Sequence, residues 1–181
     1  MNTQGFSATL HALSALGTAP GAIPRTIVVS AMFELVEEPF LQIASLRLSR
    51  RADRDAALSE LPQTPNQWTG DTQRSAARFE PNAWMLIGES AVAPPDGGTW
   101  LLTDLSSRLA SVRVRGAHAT QVLASATAAP LGDQAFVRTQ FAETAAVLIQ
   151  RLTAEDYRVL IDVSLAEYLM AWLADAGRLQ R

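Results

Sequence analysis

The last third of the chain carries the pattern that most constrains its fold. Two runs rich in β-forming residues, Ala145–Leu152 and Tyr157–Val163, are separated by the four residues Thr153-Ala154-Glu155-Asp156. Successive side chains of a strand point to opposite faces, so alternate residues from Tyr157 to Val163 share one face. The arrangement predicts a β-hairpin with a four-residue loop.

A helix is predicted directly after this hairpin, and both of its ends carry sequence signals. Ser164 at the N-cap and Glu167 three residues later form a capping box, with Val163 and Tyr168 placed as its hydrophobic staple. Gly177 occupies the position just beyond the end of the predicted helix, where glycine is common. Helical spacing predicts a stripe packed on the core, made of Leu165, Tyr168, Leu169, Trp172, Leu173 and Ala176.

The opposite side of the same helix is also apolar. It carries Met170, Ala171 and Ala174, and Glu167 and Asp175 are the only charges before the helix ends. A helix that is apolar on most sides is seldom left in water. We therefore expect Met170, Ala171 and Ala174 to contact another subunit.

The rest of the chain alternates short elements with turn signals. Arg25–Glu37 is compatible with either a strand or a helix. Elsewhere the pattern predicts strands over Leu41–Ser49 and Ser111–Arg115, helices over Ala52–Leu61 and Ala117–Ala126, and a hairpin of Ser75–Glu80 with Trp84–Gly88. This order predicts an α+β fold in which helices cover an antiparallel sheet. We expect residues 1–24 to form a loosely ordered arm with a short helix around Ser7–Leu16, and residues 25–181 to form one domain.

The composition excludes several classes of chemistry and of partner. None of the 181 residues is cysteine, which rules out disulfides, thiolate metal sites and a thiol nucleophile. All 15 basic residues are arginine, so Schiff-base lysine chemistry and a Walker-loop lysine are excluded too. A net charge of −3 gives no electrostatic case for nucleic acid or a membrane surface. Without a signal peptide or a long apolar run, the sequence predicts a cytoplasmic protein.

Candidate catalytic and metal-binding residues are few. His118, in the first turn of the predicted helix Ala117–Ala126, could face an anion, but the pattern favours a half-exposed residue without a ligand. His11 lies in the predicted arm, and Ser90 lacks the G-x-S-x-G context of a nucleophile. Gly116 alone falls short of G-x-G-x-x-G, so we expect its turn to pack the fold. We predict no catalytic, cofactor-binding or metal-binding residue in this chain.

Two further features could be subunit contacts. Arg113 and Arg115 alternate with valines, which favours a solvated strand face; the alternative is an arginine pair on an edge that faces a partner, since arginine is favoured at interfaces. Trp68 lies between polar neighbours beside a loop, where a large aromatic residue either covers the core or contacts another chain. We favour a partner contact for Trp68.

A set of short motifs occurs in a characteristic order between Leu41 and Ala176. It begins with Leu61-Pro62-x-x-Pro65-Asn66 and Pro81-Asn82-Ala83-Trp84-Met85-Leu86-Ile87-Gly88. It continues with Thr103-Asp104-Leu105-Ser106, Val112-x-Val114-x-Gly116-x-x-Ala119-x-x-Val122-Leu123, and Val163-Ser164-Leu165-Ala166-Glu167-Tyr168-Leu169 followed by Trp172-Leu173. In order and spacing these motifs resemble the gamma subunit family of heterotetrameric sarcosine oxidase.

That resemblance implies a supporting, non-catalytic subunit of a four-chain flavoenzyme. Such an enzyme oxidises the N-methyl group of sarcosine, or of a related N-methyl amine, to give glycine and hydrogen peroxide, and passes the one-carbon unit to tetrahydrofolate. The resemblance implies that FAD, FMN and NAD are bound by the large alpha and beta subunits and zinc by the small delta subunit. It implies no cofactor in this chain.

The segment from Asp104 through Gly116 is also similar to folate-binding aminomethyltransferases, the T-proteins of glycine cleavage. Those proteins carry a Gly-Gly-x-x-Asp-Asp type segment where this chain has Glu143-Thr144-Ala145-Ala146-Val147. The acidic residue used on folate is thus replaced by alanine, which leaves no group for acid–base work at the folate nitrogen. A stand-alone folate-binding or aminomethyl-transferring module remains the alternative.

Overall fold

The computed structural model describes residues 26–30, 32–38, 41–48, 61–88, 100–133, 135–143 and 145–179. The predicted arm over residues 1–24, with His11, lies outside these ranges, as do Ser90 and the predicted helix Ala52–Leu61 apart from its last residue.

Eleven strands and two α-helices make up the described residues. The strands are β1 Thr26–Ser30, β2 Phe33–Glu38, β3 Ile43–Leu48, β4 Gln67–Gly70, β5 Ser75–Glu80, β6 Ala83–Ile87, β7 Trp100–Asp104, β8 Leu109–Arg115, β9 Phe136–Phe141, β10 Ala145–Thr153 and β11 Asp156–Asp162. The helices are α1 Ala119–Ala126 and α2 Ala166–Leu179, and a 3₁₀ turn, Val163–Leu165, precedes α2. Within Arg25–Glu37, which the sequence left open between strand and helix, the described residues form β1 and most of β2, with Met32 in the turn between them.

Both predicted hairpins are confirmed. β5 and β6 pair around Pro81-Asn82, with an irregular register between Arg78 and Glu80. β10 and β11 pair around a turn shorter than predicted, because Thr153 pairs with Asp156 and only Ala154 and Glu155 remain unpaired. In both hairpins the alternation of side chains and the turn residues are local signals, so the hairpins can be predicted from the sequence alone.

The strands form two antiparallel sheets. The first has the order β1-β2-β8-β11-β10-β9 and the second the order β4-β5-β6-β3-β7. The sheets meet along one side, where Gln67 forms a bridge with Ala135 and the Phe136 N–H donates to the Asn66 carbonyl at 2.8 Å. The expected α+β class, mostly antiparallel sheet with two helices, is observed. However, the two described helices cover one face of the first sheet, and the second sheet lies against its other face.

The α2 helix lies on the first sheet with a different face from the one predicted. Ser164 is not its N-cap, because the Asp162 carboxylate accepts bonds from the Ser164 N–H at 3.1 Å and its hydroxyl at 2.7 Å and starts the 3₁₀ turn. The predicted stripe is wrong at two of its six residues, because Leu165 and Tyr168 are exposed. Its other members lie in or against the core, namely Leu169, Trp172, Leu173 and Ala176. The buried residues of the helix are Ala166, Leu169, Met170, Leu173, Ala174 and Gly177.

Gly177 lies inside α2 and does not end it. A Cβ atom at this position would lie 2.4 Å from the Phe33 ring, a distance far inside van der Waals contact. Glycine is therefore used here for close packing of the helix on β2, and the helix continues to Leu179.

Candidate functional site: the space between the two sheets

Three central strands of the first sheet turn one face toward the second sheet. Alternation places Leu109, Ser111 and Arg113 of β8 on that face, paired in register with Asp162, Leu160 and Arg158 of β11. Gln150 of β10 pairs with Arg158, and Leu148 with Leu160. The face is thus polar at one end and apolar at the other. We call the polar end the closed end and the apolar end the open end.

Arg158 is the centre of the closed end and is only 1% exposed. Its guanidinium donates to the two carboxylate oxygens of Glu38 at 2.7 and 3.0 Å. It also donates to the side-chain oxygen of Gln150 at 3.0 Å and to the Thr72 carbonyl at 2.7 Å. Since Thr72 precedes β5, the guanidinium joins the first sheet to the second, and its buried charge is matched by a carboxylate.

The groups around Arg158 are bonded to one another. Arg113 donates to Glu38 at 3.0 Å and forms a two-pronged ion pair with Asp156, one bond of which measures 2.8 Å. The Ser111 hydroxyl donates to Glu38 at 2.7 Å. Gln150 donates to the Ser75 hydroxyl at 3.0 Å, which makes a second link between the sheets.

The chemistry of this network is that of a structural ion cluster. Burial alone would raise the pKa of Glu38, but the hydrogen bonds and charge of Arg158, together with Ser111 and Arg113, outweigh burial and hold this pKa below its usual value. Glu38 is therefore a fixed anion at neutral pH. A general acid or base needs a pKa near the working pH, so Glu38 is suited to holding the sheets together and not to proton transfer.

The open end is a cleft of about 460 Å³. Its walls come from both sheets and combine apolar side chains with the hydroxyls of Ser45 and Thr103. Met85 of β6 and Phe79 of β5 lie opposite Leu148 and Leu160. Leu165 of the 3₁₀ turn and Leu105, between β7 and β8, complete the walls. This volume and lining are in the range of sites that take a small molecule or a partner side chain.

Arginines stand at the rim of this cleft. Arg47 of β3 and Arg138 of β9 share one carboxylate, that of Glu80, at 3.2 and 3.3 Å. Arg108, in the turn before β8, lies 3.4 Å from Asp162. All three side chains are more than half exposed. Unlike the arginines of the closed end, they keep most of their donors in water.

The turn at Gly116 packs the fold, as predicted. Gly116 has φ 111° and a Cβ there would lie 2.4 Å from the Met32 carbonyl oxygen. The N–H groups of Gly116, His118 and Ala119 donate to the carbonyls of Glu155, Met32 and Gly116 respectively. Donors that a phosphate would need are thus already used. His118 is partly exposed, in agreement with the sequence-based expectation. It is the N-cap residue of α1, and its side chain makes no capping bond.

The structure corrects part of the predicted partner surface. Arg113 is buried in the closed end, and Met170 and Ala174 are buried in the core between α2 and the first sheet. The expectation that Met170 and Ala174 face a partner is wrong, because this chain itself covers them. For Arg113 both the favoured solvated strand face and the alternative partner contact are wrong for the same reason. Ala171 is exposed on the outer side of α2. A partner contact through Ala171 stays a prediction.

Trp68 and Arg115 are in intermediate positions. Trp68 is half-buried in β4 and its indole N–H donates to the Arg151 carbonyl at 2.8 Å, which ties the two sheets together. Arg115 is half-buried and lies 3.4 Å from Asp156. Each retains exposed surface, so a partner contact stays a prediction for both.

The resemblance to T-proteins implies an acidic residue in the segment where this chain has Glu143-Thr144-Ala145-Ala146-Val147. That segment reaches the cleft. Glu143 is in the turn between β9 and β10, at φ 61°, and Ala146 lines the cleft wall.

Within the described ranges, no group of three or more His, Cys, Asp or Glu side chains could hold a metal ion. Neither of the described helices is long and apolar enough to cross a membrane.

Comparisons with known proteins give the fold. No family model and no curated protein sequence matches this chain. Among solved structures, the chain is similar to heterotetrameric sarcosine oxidase from Corynebacterium sp. U-96 in complex with pyrrole 2-carboxylate, with a TM-score of 0.69 and 22% identity over 83% of this chain and 86% of that chain. It is also similar to the glycine cleavage system aminomethyltransferase T from Bartonella henselae, with a TM-score of 0.55 and 16% identity. That match covers 80% of this chain but only 46% of the aminomethyltransferase.

Proposed function

We propose that this chain is a gamma-type, non-catalytic subunit of a cytoplasmic, heterotetrameric flavoenzyme of the sarcosine oxidase kind. The enzyme would demethylate sarcosine, or a related N-methyl amine, to glycine and pass the one-carbon unit to tetrahydrofolate. One observation carries the proposal: the fold matches a chain of a heterotetrameric sarcosine oxidase over 83% of this chain and 86% of that chain. A match over most of that chain supports a subunit role.

The bonding of the buried charges favours a structural, non-catalytic role for this chain. Its buried Arg158 and Arg113 both donate to the carboxylate of Glu38, and Arg158 also bonds to the Thr72 carbonyl next to the second sheet. The described residues do not fit zinc, because they include no cluster of suitable ligands and the sequence has no cysteine. As the resemblance implies, we propose that FAD, FMN, NAD, tetrahydrofolate and zinc are bound by alpha, beta and delta partner subunits.

The test is purification of the tagged full-length chain from its native host during growth on sarcosine. We expect flavin-bearing subunits to co-purify in fixed stoichiometry and to be identified by mass spectrometry, and sarcosine-dependent peroxide formation to follow the complex. A chain that purifies as a stable monomer without flavin would contradict the proposal.

A second candidate is a folate-binding module that works alone. The fold similarity to an aminomethyltransferase favours it, whereas Ala146 in the cleft wall, in the segment where the related family carries acidic residues, speaks against catalysis on folate. Calorimetry with tetrahydrofolate separates the two. Saturable binding by the isolated chain would favour the module, and no heat at millimolar ligand would exclude it.

A further inference from the structure

The mouth of the open cleft combines exposed leucines with exposed arginines. Leu165 lines the cleft and is 38% exposed. Leu101 of β7 is 60% exposed and pairs in register with Arg47 of β3. Residues opposite each other in an antiparallel pair have side chains on the same face, so Leu101 stands beside Arg47 at the cleft rim.

The rim carries more positive than negative charge. Among the described residues, the guanidinium groups of Arg47, Arg108 and Arg138 face two carboxylates, those of Glu80 and Asp162. Arg108 and Arg138 each donate one hydrogen bond to a carboxylate, although a guanidinium has five N–H donors. Among the described residues, most donors at this rim therefore have no partner. They are free to bind an incoming carboxylate.

One wall of the cleft also contains a hydroxyl group. Ser45 of β3 lines the cleft, and the residue as a whole is only 8% exposed. Among the described residues its hydroxyl has no hydrogen-bond partner, so it can bond to an occupant that brings a polar atom to that depth.

We propose that the open cleft is the docking site for a segment of a partner subunit, in which an aliphatic or aromatic side chain is flanked by one or more carboxylates. The apolar side chain enters between Met85 and Leu148 while the carboxylates bind Arg108 and Arg138. This inference rests on the proposed function and names the surface that it needs. A small ligand confined to the cleft would leave Leu101 in water, whereas a partner surface covers both the cleft and its rim.

The test uses charge reversal at the rim. The tagged chain is co-produced with the flavin-bearing subunits of its native complex, and the flavin retained per chain is measured after purification. We expect Arg108→Glu with Arg138→Glu to weaken retention roughly tenfold or more, because like charges then face the partner carboxylates. Arg138→Gln should have a smaller effect in the same direction. Wild-type retention should fall with added salt, since exposed charge pairs are screened.

Arg178→Glu is the matched control. Arg178 is an exposed arginine of α2, paired with Asp175 at 2.6 Å and remote in the fold from the cleft lining, so its reversal should leave retention unchanged. Circular dichroism melting of every variant separates loss of docking from loss of fold. A photo-reactive p-benzoylphenylalanine at position 165 should cross-link to a partner peptide that contains Asp or Glu beside an apolar residue.

The outcomes separate this inference from the proposed function. If the wild-type chain retains no flavin subunit, the proposed function fails and the docking site fails with it. If the wild type binds and the rim variants bind equally well, only the docking site is overturned. A cross-linked peptide without carboxylates overturns it too. So does saturable binding of decanoate by the isolated chain together with unchanged subunit retention, which would assign the cleft to a small ligand.

Discussion

At the closed end of the space between the sheets, Arg158 is almost completely buried and uses its guanidinium on a carboxylate, an amide and a backbone carbonyl. At the open end Arg108, in the turn before β8, is 71% exposed, and among the described residues its side chain contacts Asp162 at 3.4 Å. The two arginines belong to opposite ends of the space between the sheets. Arg158 bonds to the Thr72 carbonyl next to the second sheet, whereas the partner of Arg108 belongs to the first sheet.

This difference in exposure determines what each set of charges can do. A charge that is out of water needs all of its partners inside the fold, and removing one partner leaves an uncompensated charge. A charge at a wet rim contributes little to stability and is free to steer and hold another molecule. We therefore expect substitutions at the closed end to change folding and those at the open end to change association.

The largest effect should come from removing the guanidinium at the closed end. Arg158→Met leaves Glu38 and Gln150 without their main partner, and we expect the free energy of unfolding to fall by about 3–5 kcal/mol. Arg108→Met is the control from the open end and should cost less than about 1 kcal/mol. Urea unfolding measures both. Equal losses for the two variants would remove the distinction between the ends.

The local elements could be predicted from the sequence, but the position of the second sheet against the first could not. Hairpins, the strand before Gly116 and helix α1 depend on residues close in the chain, and their patterns are legible. Arg113 was expected on a solvated or partner-facing side, because alternation shows that it lies opposite the valines and cannot show that a distant sheet covers that side. Arg158 was missed for the same reason. Leu160, apolar on the same face as Arg158, was the signal that both faces of β11 are buried.

The face of α2 was wrong for a geometrical reason. The capping box placed the helix start at Ser164, whereas Asp162 begins a 3₁₀ turn and the α-helix proper starts at Ala166. A 3₁₀ turn has 3.0 residues per turn and an α-helix 3.6. The turn therefore shifts the phase of the stripe, and Met170 and Ala174 face the sheet in place of Tyr168.

A smaller difference in the free energy of unfolding is expected between two variants in which a buried leucine is truncated to alanine. Leu173 of α2 packs in the core between helix and sheet, whereas Leu160 faces the cleft. Truncation at Leu173 leaves a sealed cavity, so Leu173→Ala should cost about 4 kcal/mol; at Leu160 the space joins the cleft, so Leu160→Ala should cost about 2 kcal/mol. Thermal and urea unfolding give both values. A Leu160→Ala variant as unstable as Leu173→Ala would mean that the cleft is closed in solution.

The smallest effect should be the response of the two ends to acid. The pKa of Glu38 is held below its ordinary value of 4.5 because Arg158, Ser111 and Arg113 outweigh the effect of burial. A carboxyl whose pKa is lower in the folded than in the unfolded protein stabilises the fold above the unfolded pKa, and this contribution is lost as the pH falls through the folded pKa. Wild-type stability should therefore begin to fall near pH 4.5. Glu38→Gln should be less stable at neutral pH, and its difference from wild type should narrow on acidification.

Glu80→Gln is the matched control for this acid dependence. Its carboxylate pairs with the exposed Arg47 and Arg138 at the open end, and exposed pairs of this kind contribute little. This variant should follow the wild-type profile of unfolding free energy against pH. If Glu38→Gln ran parallel to wild type while Glu80→Gln did not, the fixed anion of this fold would lie at the cleft rim, and the assignment of stability to the closed end and association to the open end would be reversed.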